Sequence, residues 1–149
     1  MKLVIQRVSR AAVRVGDETV GEIGRGFLVL FGAEVGDAAA TAEEAARRVT
    51  GLRVFDDAAG KMNLALADVG GAVLAVSQFT LAADLSRGRR PGFERALRAP
   101  DAEPLYERFV AALELLGLTV ATGVFGASME VELVNEGPAT FLLELPPGP

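Results

Sequence analysis

The segment SQFTLAAD, residues 77–84, places Ser77, Gln78 and Thr80 at the end of an otherwise apolar stretch. Polar groups there either satisfy the end of a strand or point into a site, because buried hydroxyls and amides need partners. A hydroxyl becomes a strong nucleophile only beside a base. The 149-residue chain contains no histidine and no cysteine. That excludes an imidazole base, a thiolate nucleophile, a Cys/His zinc site and any disulfide. The chemistry left to it uses hydroxyls, carboxylates, backbone dipoles or groups carried by the substrate.

A second segment, RGRRPGFERALR at 87–98, sets Arg87, Arg89, Arg90, Arg95 and Arg98 against the single acid Glu94. Such a run is either a solvated loop and helix start or a set of phosphate contacts. The net charge is -5, yet residues 1–98 hold 14 basic and 12 acidic side chains and residues 99–149 hold one and eight. A local arginine surface therefore survives in an acidic protein. Thirteen of the fifteen cations are arginine, whose planar guanidinium suits bidentate phosphate contact.

The third segment, NEGPAT at 135–140, reads as the tip of a hairpin between two strand-like runs, since Asn, Gly and Pro each favour turns. It also reads as a working part. Gly137 before Pro138 leaves backbone carbonyls unshielded by any large side chain, and an X-Pro bond adopts cis at modest cost.

The elements that must position these segments follow from periodicity. Leu3, Ile5, Val13 and Val15 predict paired strands turning at Gly16 and Asp17. GFLVLFGA at 26–33 predicts a strand buried on both faces. Ala45, Val49 and Leu52 predict a helix from Asp37 to about Val54, with Asp37 or Thr41 as cap. DDAAGK at 56–61 is a turn, and AVLAVSQFTLAAD at 72–84 is a second buried strand ending in polar residues. Residues 85–95 form an exposed loop. A second helix is expected from about Pro104 to Leu116, stopped by Gly117. Met129, Val131 and Leu133 alternate in a strand, TFLLEL forms the last one, and the tail PPGP is disordered or extended. Many strands with two main helices make a single α+β domain. No apolar run approaches the roughly 20 residues that span a bilayer. Charges at positions 2, 7 and 10 interrupt any signal-like segment, so a soluble, cytoplasmic protein is expected.

Taken together, in order and at this spacing, SQFTLAAD and NEGPAT, with the opening IQRVSRAAV and the central DAAGKMNL, closely resemble the D-aminoacyl-tRNA deacylases. The resemblance covers residues 1–145 as one domain and leaves the Pro-rich tail 146–149 outside. It implies a homodimer of compact domains, each with a sheet or barrel-like core flanked by two helices. The activity implied is hydrolysis of the ester joining a D-amino acid, or glycine, to the 3'-terminal adenosine of tRNA. No cofactor, metal or membrane is implied; the partners are aminoacyl-tRNA and a second copy of the chain.

By the same resemblance, Gly137 and Pro138 form a cis peptide that enters the other subunit's pocket as a chiral gate. Arg7 braces it, Gln6 belongs to the same pocket, and Met129 packs near the adenosine. Ser77, Gln78, Phe79 and Thr80 line the catalytic pocket, with the backbone N–H groups of Phe79 and Thr80 as oxyanion or adenosine contacts. Catalysis is attributed to the 2'-hydroxyl of the RNA, with Thr80 as covalent nucleophile the competing scheme. Arg87, Arg89 and Arg90 meet tRNA phosphates. Ala139 departs from the pattern, which carries a bulkier apolar residue there. The alternative is a non-catalytic RNA-binding or ligand-sensing module on the same fold.

Overall fold

Residues 1–147 are described by the computed structural model. β1 (Lys2–Val15) is the strand around which the others are arranged. It turns at Gly16 and Asp17, as expected, into β2 (Glu18–Ile23), which pairs antiparallel with its second half. β3 (Gly26–Gly32) pairs antiparallel with its first half. The apolar run of β3 is buried on both faces. Phe27, Val29 and Phe31 join the core beneath the helices, and Leu28 joins a second core on the opposite face.

α1 (Ala39–Gly51) buries Ala42, Ala45, Ala46 and Val49 in the core that also holds Phe27, Val29 and Phe31 of β3. It starts later and stops earlier than the span Asp37 to Val54, and neither Asp37 nor Thr41 is its N-cap. Asp37 is occupied elsewhere: its carboxylate accepts from the Met1 ammonium at 2.9 Å and from the Glu34 N–H at 2.7 Å. Thr41 Oγ1 accepts from the Ala38 N–H at 3.2 Å, which steadies the first turn from inside the helix. The DDAAGK turn joins β4 (Phe55–Asp56) to β5 (Met62–Leu64), a small separate hairpin.

β6 (Ala72–Ser77) runs parallel to β3. It is shorter than the run 72–84: the chain leaves the sheet after Ser77 and forms a 3₁₀ turn, Phe79–Ala82. α2 (Ala99–Leu115) begins earlier than Pro104, with Pro100 in its first turn and Pro104 inside. Gly117, at φ +91, ends it as expected. Tyr106 on α2 donates its hydroxyl to the Ala75 carbonyl at 2.8 Å, fixing the helix to β6. Phe31 lies between the Tyr106 and Phe109 rings, at 5.8 and 5.1 Å between centroids. Each such buried aromatic contributes about 1.5–3 kcal/mol by leaving water.

β7 (Thr119–Thr122) pairs parallel with β6. β2 curls across to meet β7, and the closeness depends on Gly21. A Cβ at that position would lie 2.4 Å from the Thr122 carbonyl oxygen. The result is a single compact domain with a nearly closed, barrel-like sheet and two helices over one face.

The expected final hairpin is not there. β8 (Glu130–Glu144) is one strand, antiparallel to β1 from Arg14↔Glu130 through Lys2↔Glu144. Asn135 faces Val8 and Thr140 faces Gln6, so the four residues 136–139 oppose the single residue Arg7. NEGPAT is thus a wide bulge in a continuing strand. Upstream of it Met129 and Leu133 pack on the second core; downstream Phe141 and Leu143 pack on the core beneath the helices. The Pro-rich tail falls partly outside the described residues, since 148–149 lie beyond them.

Candidate active site: a braced bulge and an open cavity

A bulge leaves backbone groups without ladder partners, so something must take them up. Asn135 does most of this. Its amide donates to the Ala139 carbonyl at 2.9 Å and accepts from the Ala139 N–H at 2.9 Å, with a further donation to the Arg7 carbonyl at 3.3 Å. The small Ala139 is buried and held through its backbone, so the clamp does not depend on a larger side chain there.

Arg7 points into the bulge from β1. Its Nε donates to the Glu136 carbonyl at 3.0 Å, and one terminal nitrogen donates to the Val54 carbonyl at 2.5 Å and lies 3.6 Å from the Asp56 carboxylate. Arg7 is only 6% exposed. Arg25 approaches from β3's leading turn: its Nε is 3.7 Å from Glu136 Oε2 while its guanidinium carbon sits 5.1 Å over the Phe55 ring. Gln6, on the other face of β1, donates to Thr140 Oγ1 at 3.3 Å. Gly137 and Pro138 are left exposed at the crest, with the peptide bond between them cis. Gly137 has φ +141, and a Cβ there would meet the Ala139 nitrogen at 2.8 Å and an Arg7 nitrogen at 3.0 Å.

A cavity of about 790 Å³ opens where β6 ends, between the 3₁₀ turn and the start of α2. Ser77, Gln78, Phe79 and Met129 line it. Thr80 does not; it stands exposed beside the rim, its Oγ1 accepting from the Gln78 amide. Gln78 is fixed through its own N–H, which donates to the Phe31 carbonyl at 2.7 Å. The next two N–H groups, of Phe79 and Thr80, open the 3₁₀ turn and take no acceptor among the described residues. First-turn amides of this kind are oriented donors for an oxygen carrying negative charge. Among the described residues, no group of three or more carboxylates converges on a point that could hold a metal.

Gln6, Arg7, Gly137 and Pro138 do not line this cavity. Within one chain the structure therefore brings the sequence-predicted residues into two groups, a braced crest and an open pocket. Arg87, Arg89 and Arg90 are exposed on the loop beside the cavity, the loop whose base is closed by paired backbone bonds between Asp84 and Gly92 at 2.8 and 2.9 Å. The hydroxyl and amide of Ser86 beside Asp84 hold its carboxyl below the usual range. Asn135, Arg25 and Phe93 escape sequence reasoning. The bulge residue Asn135 looks like any turn asparagine, and the partners of the other two become neighbours only in the fold.

The sequence model of the D-Tyr-tRNA(Tyr) deacylase family matches residues 4–144. A D-aminoacyl-tRNA deacylase of Symbiobacterium thermophilum is 58% identical over 144 residues, 97% of this chain and 95% of that protein. One from Geotalea uraniireducens is 55% identical over 146 residues, 98% and 94% of the two chains. A solved structure of a c-Myc DNA unwinding element binding protein superposes with a TM-score of 0.93 at 40% identity, over 98% of this chain and 99% of that one. No helix of the described residues is long and apolar enough to cross a membrane. With its motifs in order along one domain and its relatives matching end to end, the chain belongs to the D-Tyr-tRNA(Tyr) deacylase family.

Proposed function

We propose that the protein is a D-aminoacyl-tRNA deacylase, a hydrolase that cleaves the ester joining a D-amino acid to the 3'-terminal adenosine of tRNA, and that residues 1–145 are its catalytic domain. The observation that carries this reading is the pair of acceptor-free N–H groups of Phe79 and Thr80 at the mouth of an open cavity. An aminoacyl ester is already activated. Two donors aimed at its carbonyl oxygen stabilise the developing oxyanion, and binding supplies orientation. The neighbouring 2'-hydroxyl of the ribose orients and activates a water, which adds to the ester carbonyl; the C–O3' bond then breaks, the amino acid leaves as the free acid and the 3'-oxygen takes up a proton. Thr80 is a poor candidate for nucleophile because no base stands beside it.

The crest at Gly137 and Pro138 has no pocket of its own, and the cavity has no gate of its own. A homodimer in which the crest of one subunit enters the cavity of the other supplies both. The carbonyls there hold the substrate's α-ammonium, an L side chain collides, and a D side chain escapes. Glycine has no side chain to collide, so glycyl-tRNA is cleaved too. Arg7 and Asn135 hold the crest, Gln6 supports it, Met129 packs by the adenosine, and Arg87, Arg89 and Arg90 meet tRNA phosphates. The reaction takes place in the cytoplasm, where charged tRNA is used.

The test is ester loss from tRNA carrying D-tyrosine, L-tyrosine or glycine, against a protein-free control. Release of D-tyrosine and glycine with L-tyrosine spared is expected. No release from any of the three would sink the reading and leave a non-catalytic RNA-binding module. Full chiral discrimination by a Pro138→Ala variant would remove the gate while keeping the activity.

A further inference from the structure

The cavity extends beyond the residues used so far. At its outer rim, Phe79 is 58% exposed and Phe93 38%, and their rings lie 5.2 Å apart at 52°. Two large aromatic faces open to solvent are costly to leave bare and are the usual platform for an unpaired nucleobase. Arg98 lies at the same rim and is the only charged side chain lining the cavity among the described residues. Of the other cations, Arg95 pairs with Glu34 at 3.0 Å and Arg108 with Glu43 at 2.6 Å, while Arg87, Arg89 and Arg90 stand on the exposed loop outside the cavity lining. Arg98 has no carboxylate within ion-pair distance among the described residues, although Glu94 and Asp101 are near in sequence. An aromatic face beside an unpaired guanidinium matches one ligand chemistry, a stacked base with its phosphate.

We propose that Phe93 and Arg98 form a subsite for the nucleotide immediately preceding the terminal adenosine. Phe93 packs against its base, and Arg98 takes the phosphate joining it to the terminal nucleoside. The proposal rests on the deacylase reading, because that reading places the terminal adenosine in the adjoining cavity. Stacking is tolerant of base identity, so the subsite recognises a single-stranded 3' end rather than a sequence. It gives the enzyme a hold on RNA that a free aminoacyl nucleoside cannot offer.

The experiment compares D-tyrosyl adenosine with the D-tyrosyl ester of a trinucleotide ending in the same adenosine, on wild type and on the Phe93→Ala, Phe93→Tyr, Arg98→Ala and Arg98→Lys variants. Wild type should prefer the trinucleotide in kcat/KM. Phe93→Ala should shrink that preference by on the order of tenfold, and Phe93→Tyr, which keeps the ring, should restore it. Arg98→Ala should lower the slope of log affinity against log salt for the trinucleotide by about 0.7, and Arg98→Lys should not. Equal losses on both substrates, or an unchanged preference and slope, would overturn the subsite while leaving the activity standing. A wild-type protein that cleaves neither ester fails the deacylase reading and the subsite with it.

Discussion

Asn135 and Ala139 are joined by a reciprocal pair of hydrogen bonds, the amide of one side chain closing on both backbone groups of a residue four positions on. The pair imitates a rung of the sheet across a place where the ladder is broken. It sets the shape of the crest that carries Gly137 and Pro138. Replacing Asn135 with Ala strips three hydrogen bonds from partly buried backbone and should cost about 1–3 kcal/mol. Asp at this position keeps the acceptor but loses both donations, so it should not rescue. Urea unfolding checks the stability, and the ratio of D- to L-tyrosyl ester cleavage checks the crest; an unaltered ratio in Asn135→Ala would show that the clamp does not set the gate.

Arg7 serves two carbonyls far apart in the chain, that of Glu136 in β8 and that of Val54 just before β4. A lysine ammonium at this depth has no fork with which to reach both. Arg7→Ala should destabilise by about 3 kcal/mol, leaving two carbonyls without a charged donor. Arg7→Lys should fall between wild type and Ala in stability and lose activity with it. Chemical denaturation of the three proteins orders them.

Tyr106, the only tyrosine in the chain, is pushed up to about 12 by burial, from an ordinary value of 10.0. The unfolded chain releases this proton first. Stability from the neutral hydroxyl is therefore complete below pH 10 and is lost as pH rises through 12, with a limiting slope of about 1.4 kcal/mol per pH unit. Tyrosinate absorbance should report a midpoint near 12 in the native protein and near 10 in denaturant. Tyr106→Phe should be less stable at neutral pH by about 1 kcal/mol, having lost its bond to Ala75, and should lack this alkaline slope. A native midpoint near 10 would show the ring to be wet.

Thr80→Ala removes one exposed contact, to the Gln78 amide. Its stability should stay within about 0.5 kcal/mol of wild type. Measurable single-turnover cleavage should remain, because the N–H groups of Phe79 and Thr80 belong to the backbone. Complete loss of turnover with substrate binding intact would revive the hydroxyl as nucleophile.

The sequence was readable where burial alone decides. The glycine-bounded apolar run Phe27 to Phe31 suits a strand covered on both sides, and Ala45 and Val49 fix one face of α1. It misled where two architectures use the same local chemistry. Asn135, Gly137 and Pro138 fit a hairpin tip as well as a bulge, and what separates them is the length of β1, which stays available as a partner past position 137. Pro104 looked like a helix start because proline favours first turns, yet Pro100 takes that place. The pocket motif was legible as a stretch of polar residues after an apolar strand. Its rim was not, since Phe93 and Phe79 meet only when the loop closes at Asp84 and Gly92.

The bulge in β8 also governs how the chain tolerates insertions and deletions. It holds three residues more than the ladder requires, an odd number, and so it reverses the facing of the strand: Met129 and Leu133 look to one core, Phe141 and Leu143 to the other. Should residues 140–144 slip by a single position along β1, Leu142 and Glu144 would be carried inward in their place. The loss of one residue near Gly137 cannot be relieved by sliding and falls wholly on the crest. Length variation that leaves both cores intact comes at this point in pairs.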